Sequence, residues 1–446
     1  MNNIFIVIIA YSALVVAVSL ATRKHKTVDE YLMGGRNASP AYVGSALFTL
    51  VGGGELITLT ALAYTYGWAG LSLFLGYALG FAFLAIYAGR IRANDTGARA
   101  LSLPDYAHQN FGPIAGHLVF LVSFAAFFSM LIIQFVAGGQ ILQQLLKIDY
   151  ALCVLIVASV AAVYLVIGGF KTVLATDMIQ GISRLLLMPL IIVAVAAGVK
   201  GGLHPFSAET LPIMVWVSLT ITGFFAAASS ADVWQRIYAA RSDRAASGGL
   251  IIGAASMLMF GALLALLGIL TKEGGITLSP DSAFVDAISS GLPAWAAYLT
   301  VILVLSTIMG TADTEIFLLA GILGRELLRI RGVRDVEAMA HRQSISKSRV
   351  LVIVIAGSAV VLSLIFRELV AIYTWLLSAI LVISPMVLGS LFIKPKQWQV
   401  QWSMVLNLAL FTILAVLGLL SPENAYLIVI PGFLLFGTLV LRSRKT

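Results

Sequence analysis

Runs of about 20 apolar residues, separated by short polar or charged segments, follow one another along nearly the whole chain, at the length a membrane-crossing helix requires. This pattern predicts thirteen helices, at 3–21, 40–66, 69–89, 113–146, 150–169, 176–199, 212–232, 246–271, 293–323, 349–366, 370–393, 402–420 and 425–441. The first run has no basic residue before it and Arg23, Lys24 and Lys26 after it, the reverse of a secretory leader, so it is read as a retained span. Two spans are interrupted. The second contains VGGGELITLT (51–60), with three glycines and Glu55 inside an apolar run. The seventh, PIMVWVSLTITGFFAAASSAD, has small residues around Gly223 and from Ala226 to Ser230. Five spans separate their starts, and an odd repeat length inverts the second copy relative to the first. Paired interruptions in inverted repeats mark the central site of many secondary transporters. Small residues also serve close helix packing, and from spacing alone both readings stay open.

Composition agrees with this pattern. The chain has 446 residues, of which 60% are hydrophobic and 11% charged, and a mean hydropathy of +1.01. It reads as one integral membrane domain with no soluble part large enough for separate catalysis. A net charge of +8 raises the question of nucleic acid, which the placement of the basic residues answers. With the N-terminus outside and the C-terminus inside, only Lys147, Lys200, Lys272 and Arg367, four of the 28 basic residues, fall outside, and Arg184 lies within a span. That is the positive-inside pattern of a membrane protein, so no nucleic-acid partner is expected. The single cysteine, Cys153, sits in an apolar run and excludes disulfides and thiolate clusters. No zinc-hydrolase signature and no G-x-S-x-G occurs, and the five histidines fall mainly in or beside loops, so the chain is not expected to be an enzyme.

A charge at mid-bilayer costs about 2.5 to 3.5 kcal/mol on insertion scales, so one retained there is a functional hypothesis by default. Glu55, Asp177, Arg184, Asp313 and Glu315 qualify. Asp177 and Arg184 are seven residues apart, on one helix face and about 10 Å from each other, too far to pair without a third partner. In the ninth span Thr307, Thr311 and Thr314 form a hydroxyl stripe with Gly310 between them and Asp313 beside it. Hydroxyls and freed carbonyls are the hard oxygen ligands that small cations prefer. Threonines that back-bond to i−4 carbonyls would give the same stripe.

Several segments resemble the sodium:solute symporter family. IGGFKTVLATDMIQG (167–181) is similar to its GG-x-K-A-V-x-x-T-D-x-x-Q segment, and DVWQRIYAARS (232–242) to its W-Q-R-x-x-A-A-R-S segment. DEYLMGGRN (29–37), LPDYAHQNFG (103–112) and GTADTEIF (310–317) match further family segments in the same order. The resemblance implies an all-α integral membrane fold of thirteen transmembrane helices with a five-plus-five inverted repeat, as in the bacterial leucine transporter. The parts would be an extra N-terminal span (3–21), a first repeat (40–199), a second, inverted repeat (212–393) and two C-terminal spans (402–441). It also implies a main Na+ site at Thr49, Gly52, Thr307, Gly310 and Thr311, and a second Na+ or H+ site at Asp177, Asp313 and Thr314. Gly310 departs from the pattern, standing where the family usually has serine, so one hydroxyl is missing.

The family's substrate contacts at the two breaks and on spans 4 and 11 correspond to Gly53, Gly54, Glu55, Gln134, Trp216, Thr220, Phe224, Tyr373 and Trp375. A carboxylate at the first break suits an ammonium group or sugar-like hydroxyls. The expectation is therefore Na+-coupled symport of a small polar organic solute by alternating access, from a multi-pass, monomeric protein in the cell membrane, with oligomerisation left open. The alternatives are H+ coupling through the intramembrane carboxylates and a non-transporting solute sensor.

Overall fold

The structure is a computed structural model. It describes residues 2–23, 27–93, 100–198, 213–275, 284, 286, 294–333, 344–367, 369–420, 424 and 426–442. The named helices, in chain order, are α1 (Asn2–Thr22), α2 (Val28–Met33), α3 (Pro40–Phe48), α4 (Gly53–Tyr66), α5 (Ser72–Ala93), α6 (Leu103–Leu146), α7 (Tyr150–Gly168) and α8 (Phe170–Gly198). After them come α9 (Ile213–Ala228), α10 (Ala231–Ala239), α11 (Asp243–Glu273), α12 (Ala294–Ile330), α13 (Ile345–Ile365), α14 (Leu369–Phe392), α15 (Gln397–Val416) and α16 (Tyr426–Arg442). Among the described residues nine helical stretches are long and apolar enough to cross a membrane, or ten when α9 and α10 count as one bent span.

Many apolar side chains lie on the outside of this bundle, and several charged ones are buried within it. Ile86 is 78% exposed and Val416 82%, whereas Asp177, Arg184 and Asp313 are fully buried. That is the arrangement expected where hydrocarbon is the solvent and polar groups must find partners inside. The central helix is α12, whose most apolar window is 94% buried, against 22% for α1 at the periphery.

The helices interrupt where expected: the first break ends on the first of the three glycines, Gly52, and the second falls at the end of the small-residue run rather than at Gly223. The first break spans residues 49–52, between α3 and α4, and Gly53 and Gly54 already belong to the first turn of α4. These glycines serve close approach: a Cβ on Gly52 would run into the Gln134 amide, and one on Gly53 into Ala137 Cβ at 2.9 Å and Ile308 Cγ1 at 3.0 Å. In the seventh span the helix passes straight through Gly223 and breaks at Ser229–Ser230, where α9 and α10 meet at 44°. Gly223 instead packs on the backbone of α5 around Leu73 and Gly76, the small-residue contact by which membrane helices approach closely.

Candidate functional site

The end of α3 leaves carbonyls without helical partners, and the long side chain of Arg184, from α8, reaches them. Its Nη1 donates to Val51 O at 2.8 Å and Phe48 O at 3.4 Å, and its Nη2 to Ser306 O at 2.6 Å and Thr307 O at 2.9 Å on α12. One guanidinium therefore ties the broken span to the central helix. The missing side chain at Gly310 makes this possible, since a Cβ there would lie 2.7 Å from Arg184 Nη2, 2.6 Å from Gln180 Oε1 and 3.1 Å from Thr49 Cβ.

The five residues expected to form the main cation site do converge, but several of their oxygens are engaged. Gly52 O accepts the first helical hydrogen bond of α4 from Leu56 N at 3.1 Å, so the carbonyl offered at the break is that of Val51. Thr49 O accepts from Thr311 Oγ1 at 2.8 Å, which joins α3 to α12 directly. Thr311 Oγ1 also back-bonds to Thr307 O at 3.2 Å and Thr307 Oγ1 to Leu303 O at 2.7 Å, so the i−4 alternative for this stripe holds alongside the interhelical one.

Beside the break lie the carboxylates of the second expected site. Asp177 Oδ1 accepts from Thr49 Oγ1 at 2.8 Å, while Oδ2 accepts no hydrogen bond among the described residues and lies 4.0 Å from Arg236 Nη2. Thr49 and its neighbouring carbonyls are the third partner that the spacing of Asp177 and Arg184 required. Asp313 Oδ2 accepts from Tyr164 OH at 2.7 Å and Thr176 Oγ1 at 3.3 Å, and Oδ1 from Thr314 N at 2.6 Å. Arg236, from the W-Q-R motif on α10, donates through Nη2 to Thr314 Oγ1 at 2.7 Å and through Nη1 to Asp232 O at 3.1 Å. Assigning roles from the sequence missed Arg236, although its motif was in view. Glu315, one residue past Thr314, is buried, and neither carboxylate oxygen has a hydrogen bond among the described residues.

Among the described residues the charges around the two breaks do not cancel. Glu55, Asp177, Asp232, Asp313 and Glu315 are buried there against Arg184 and Arg236. Each uncompensated buried ion costs several kcal/mol, so the excess of carboxylates calls for neutralisation by cations or protons. This is chemistry for binding a positive ion deep in the protein.

The substrate-facing candidates divide into groups. Gln134 Oε1 accepts from Gly53 N at 2.6 Å, and Glu55 Oε2 accepts from Gly52 N at 2.8 Å, capping the start of α4, so Gln134, Gly53, Gly54 and Glu55 form one buried cluster. The half-buried Trp216, Thr220 and Phe224 lie on α9. Thr220 Oγ1 bonds to Trp216 O at 2.9 Å, and the Phe224 ring packs 5.5 Å from that of Phe83 on α5. Tyr373 and Trp375 belong to α14, and their side chains fall outside the described residues.

Residues 31–213 match the model of the sodium:solute symporter family. Over those residues, under half of its length, the chain is similar to that family. The osmoregulated proline transporter OpuE of Bacillus subtilis is 25% identical over 447 residues, covering 93% of this chain and 89% of its own. The high-affinity proline transporter PutP of the same species is 28% identical over 183 residues, 38% of each chain. Among solved structures, a Na+-coupled sialic acid symporter in its substrate-bound outward-open state superposes with a TM-score of 0.83 at 15% identity, covering 99% of this chain and 97% of that one. Mhp1, a nucleobase-cation-symport-1 family transporter, gives 0.55 at 14% identity, covering 93% and 94%. These likenesses show the fold. The matched family and the relatives are transporters rather than enzymes, and the chain, with its succession of apolar helices, is a multi-pass membrane protein.

Proposed function

We propose that the protein is a Na+-coupled symporter of a small polar organic solute, working by alternating access, with thirteen spans, an outside N-terminus and the monomer as the transporting unit. The observation that carries this reading is the buried excess of carboxylates beside the broken span. Asp177, with one oxygen unpartnered among the described residues, Asp313 and the Thr49 and Thr314 hydroxyls supply hard oxygen donors for the coupling ion. The cluster of Gly53, Gly54, Glu55 and Gln134 lies next to it, where a solute would sense whether the ion is bound. The names of the relatives make proline the first solute to test and sialic acid the second.

A specific observation favours a second reading. The Arg184 guanidinium already holds the Val51, Ser306 and Thr307 carbonyls, so the main cation position carries a tethered positive charge. Coupling then falls to the carboxylates alone, and these can take H+ as readily as Na+. Solute binding to the purified protein separates the two readings: Na+ replacing K+ at fixed pH should tighten proline binding, or sialic acid binding, at least tenfold. Binding that ignores Na+ but follows pH would favour H+.

A further inference from the structure

We propose that His108, His117 and Glu326 form a divalent-metal site of the Zn2+ class at the end of the bundle that carries Arg325 and Arg329. The two histidines lie nine residues apart in α6, about 13.5 Å along a straight helix. They meet because α6 is not straight: Gly112 has φ 83° and ψ 177°, a conformation open to glycine, and Pro113 follows it. The kink brings the imidazole rings to 4.8 Å between centroids, at right angles. Gly116 completes the fold-back, since a Cβ there would collide with the His108 ring.

Glu326 of α12 faces both rings. Its Oε1 contacts His117 Nδ1, and its Oε2 lies 3.4 Å from His108 Nε2, a nitrogen with no hydrogen-bond partner among the described residues. One ligand atom from each of the three residues fits within a span of 4.8 Å. A tetrahedral zinc with bonds near 2.0–2.1 Å separates its ligands by roughly 3.4 Å, so modest side-chain movement closes the set. Two imidazoles and one carboxylate are a donor combination that Zn2+ accepts. The half-exposed His117 (side chain 44% exposed) leaves a side open for a fourth ligand from water. A positive neighbour is present, because Arg329 Nη1 lies 3.2 Å from Glu326 Oε2, but the same guanidinium also pairs with Asp105. Occupied, the site would tie the kink of α6 to α12, the helix that carries Thr307 to Asp313, and slow any transport step that separates them.

The test uses the full-length protein, purified in detergent without a polyhistidine tag, stripped with chelator and titrated with Zn2+ against a chromophoric competitor. The expected result is one equivalent bound, at least tenfold more weakly in His117→Ala, whose exposed position should leave folding intact, and in Glu326→Gln. A variant in which His25, His204 and His341 are all alanine should bind as the wild type does. Absence of stoichiometric binding, or equal binding in His117→Ala, would overturn the proposal and leave the trio a hydrogen-bonded cluster.

Discussion

Replacing Arg184 by alanine removes a side chain that ties the broken span to the central helix through four backbone carbonyls. Three of these bonds are between 2.6 and 2.9 Å. Thr307 O also accepts from Thr311 Oγ1 and Phe48 O from Val51 N, so the loss falls mainly on Val51 O. A carbonyl left unpaired costs about 1 to 3 kcal/mol, and removing one member of a buried charged set costs about 3 to 5 kcal/mol. The two estimates overlap, so Arg184→Ala should lose about 3 to 5 kcal/mol, read by equilibrium unfolding in mixed micelles. Arg184→Lys should recover part of this, because an ammonium keeps the charge but lacks the fork that spans two helices. If the guanidinium stands where a cation would otherwise sit, Na+ should bind the freed oxygens of the alanine variant. At a hundredfold excess over its Kd that returns about 2.7 kcal/mol, so the deficit should shrink in NaCl relative to choline chloride. A loss below about 1 kcal/mol in choline chloride would refute the proposed tie, and a deficit indifferent to Na+ would refute the cation-site reading of those carbonyls.

Gly310→Ser should by itself cost about 1 to 3 kcal/mol through overpacking against Gln180 and Arg184, and much less in an Arg184→Ala background, a non-additivity of at least about 1 kcal/mol in a double-mutant unfolding cycle; additive losses would contradict the shared space. Asp177→Asn should raise the Na+ concentration for half-maximal solute binding at least tenfold with solute affinity at saturating Na+ little changed, measured by scintillation proximity. Glu55→Gln can still accept from Gly52 N and should cost no more than about 1 kcal/mol in stability while weakening solute affinity in the same assay; an unaltered affinity would leave Glu55 as a helix cap.

The outline of the site was legible because membrane insertion makes polar residues conspicuous. Glu55, Asp177, Arg184, Asp313 and Glu315 stand out from an apolar background, and all five are buried around the breaks. Their partners were not legible. Helix spacing placed Arg184 near Asp177 but could not show that its side chain ends on the carbonyls of Phe48, Val51, Ser306 and Thr307. The absent hydroxyl at Gly310 looked like a loss from a cation site, whereas in the structure it is the space the guanidinium fills. The triple glycine signalled an irregularity at the right place, but Gly52 and Gly53 serve contact with Gln134, and the break ends at Gly52. His108 and His117 looked unrelated because the pairing depends on a backbone turn at Gly112, for which Gly112-Pro113 was the available signal.

The central claim, symport driven by a cation gradient, is tested most directly in proteoliposomes holding the purified protein at equal pH on both sides. An inward Na+ gradient should drive accumulation of labelled proline, or of sialic acid if proline is not taken up, and Asp177→Asn should shift the Na+ dependence of uptake to at least tenfold higher Na+. Uptake that is indifferent to the Na+ gradient, yet driven by an imposed pH gradient, would contradict sodium coupling and assign the buried carboxylates to protons.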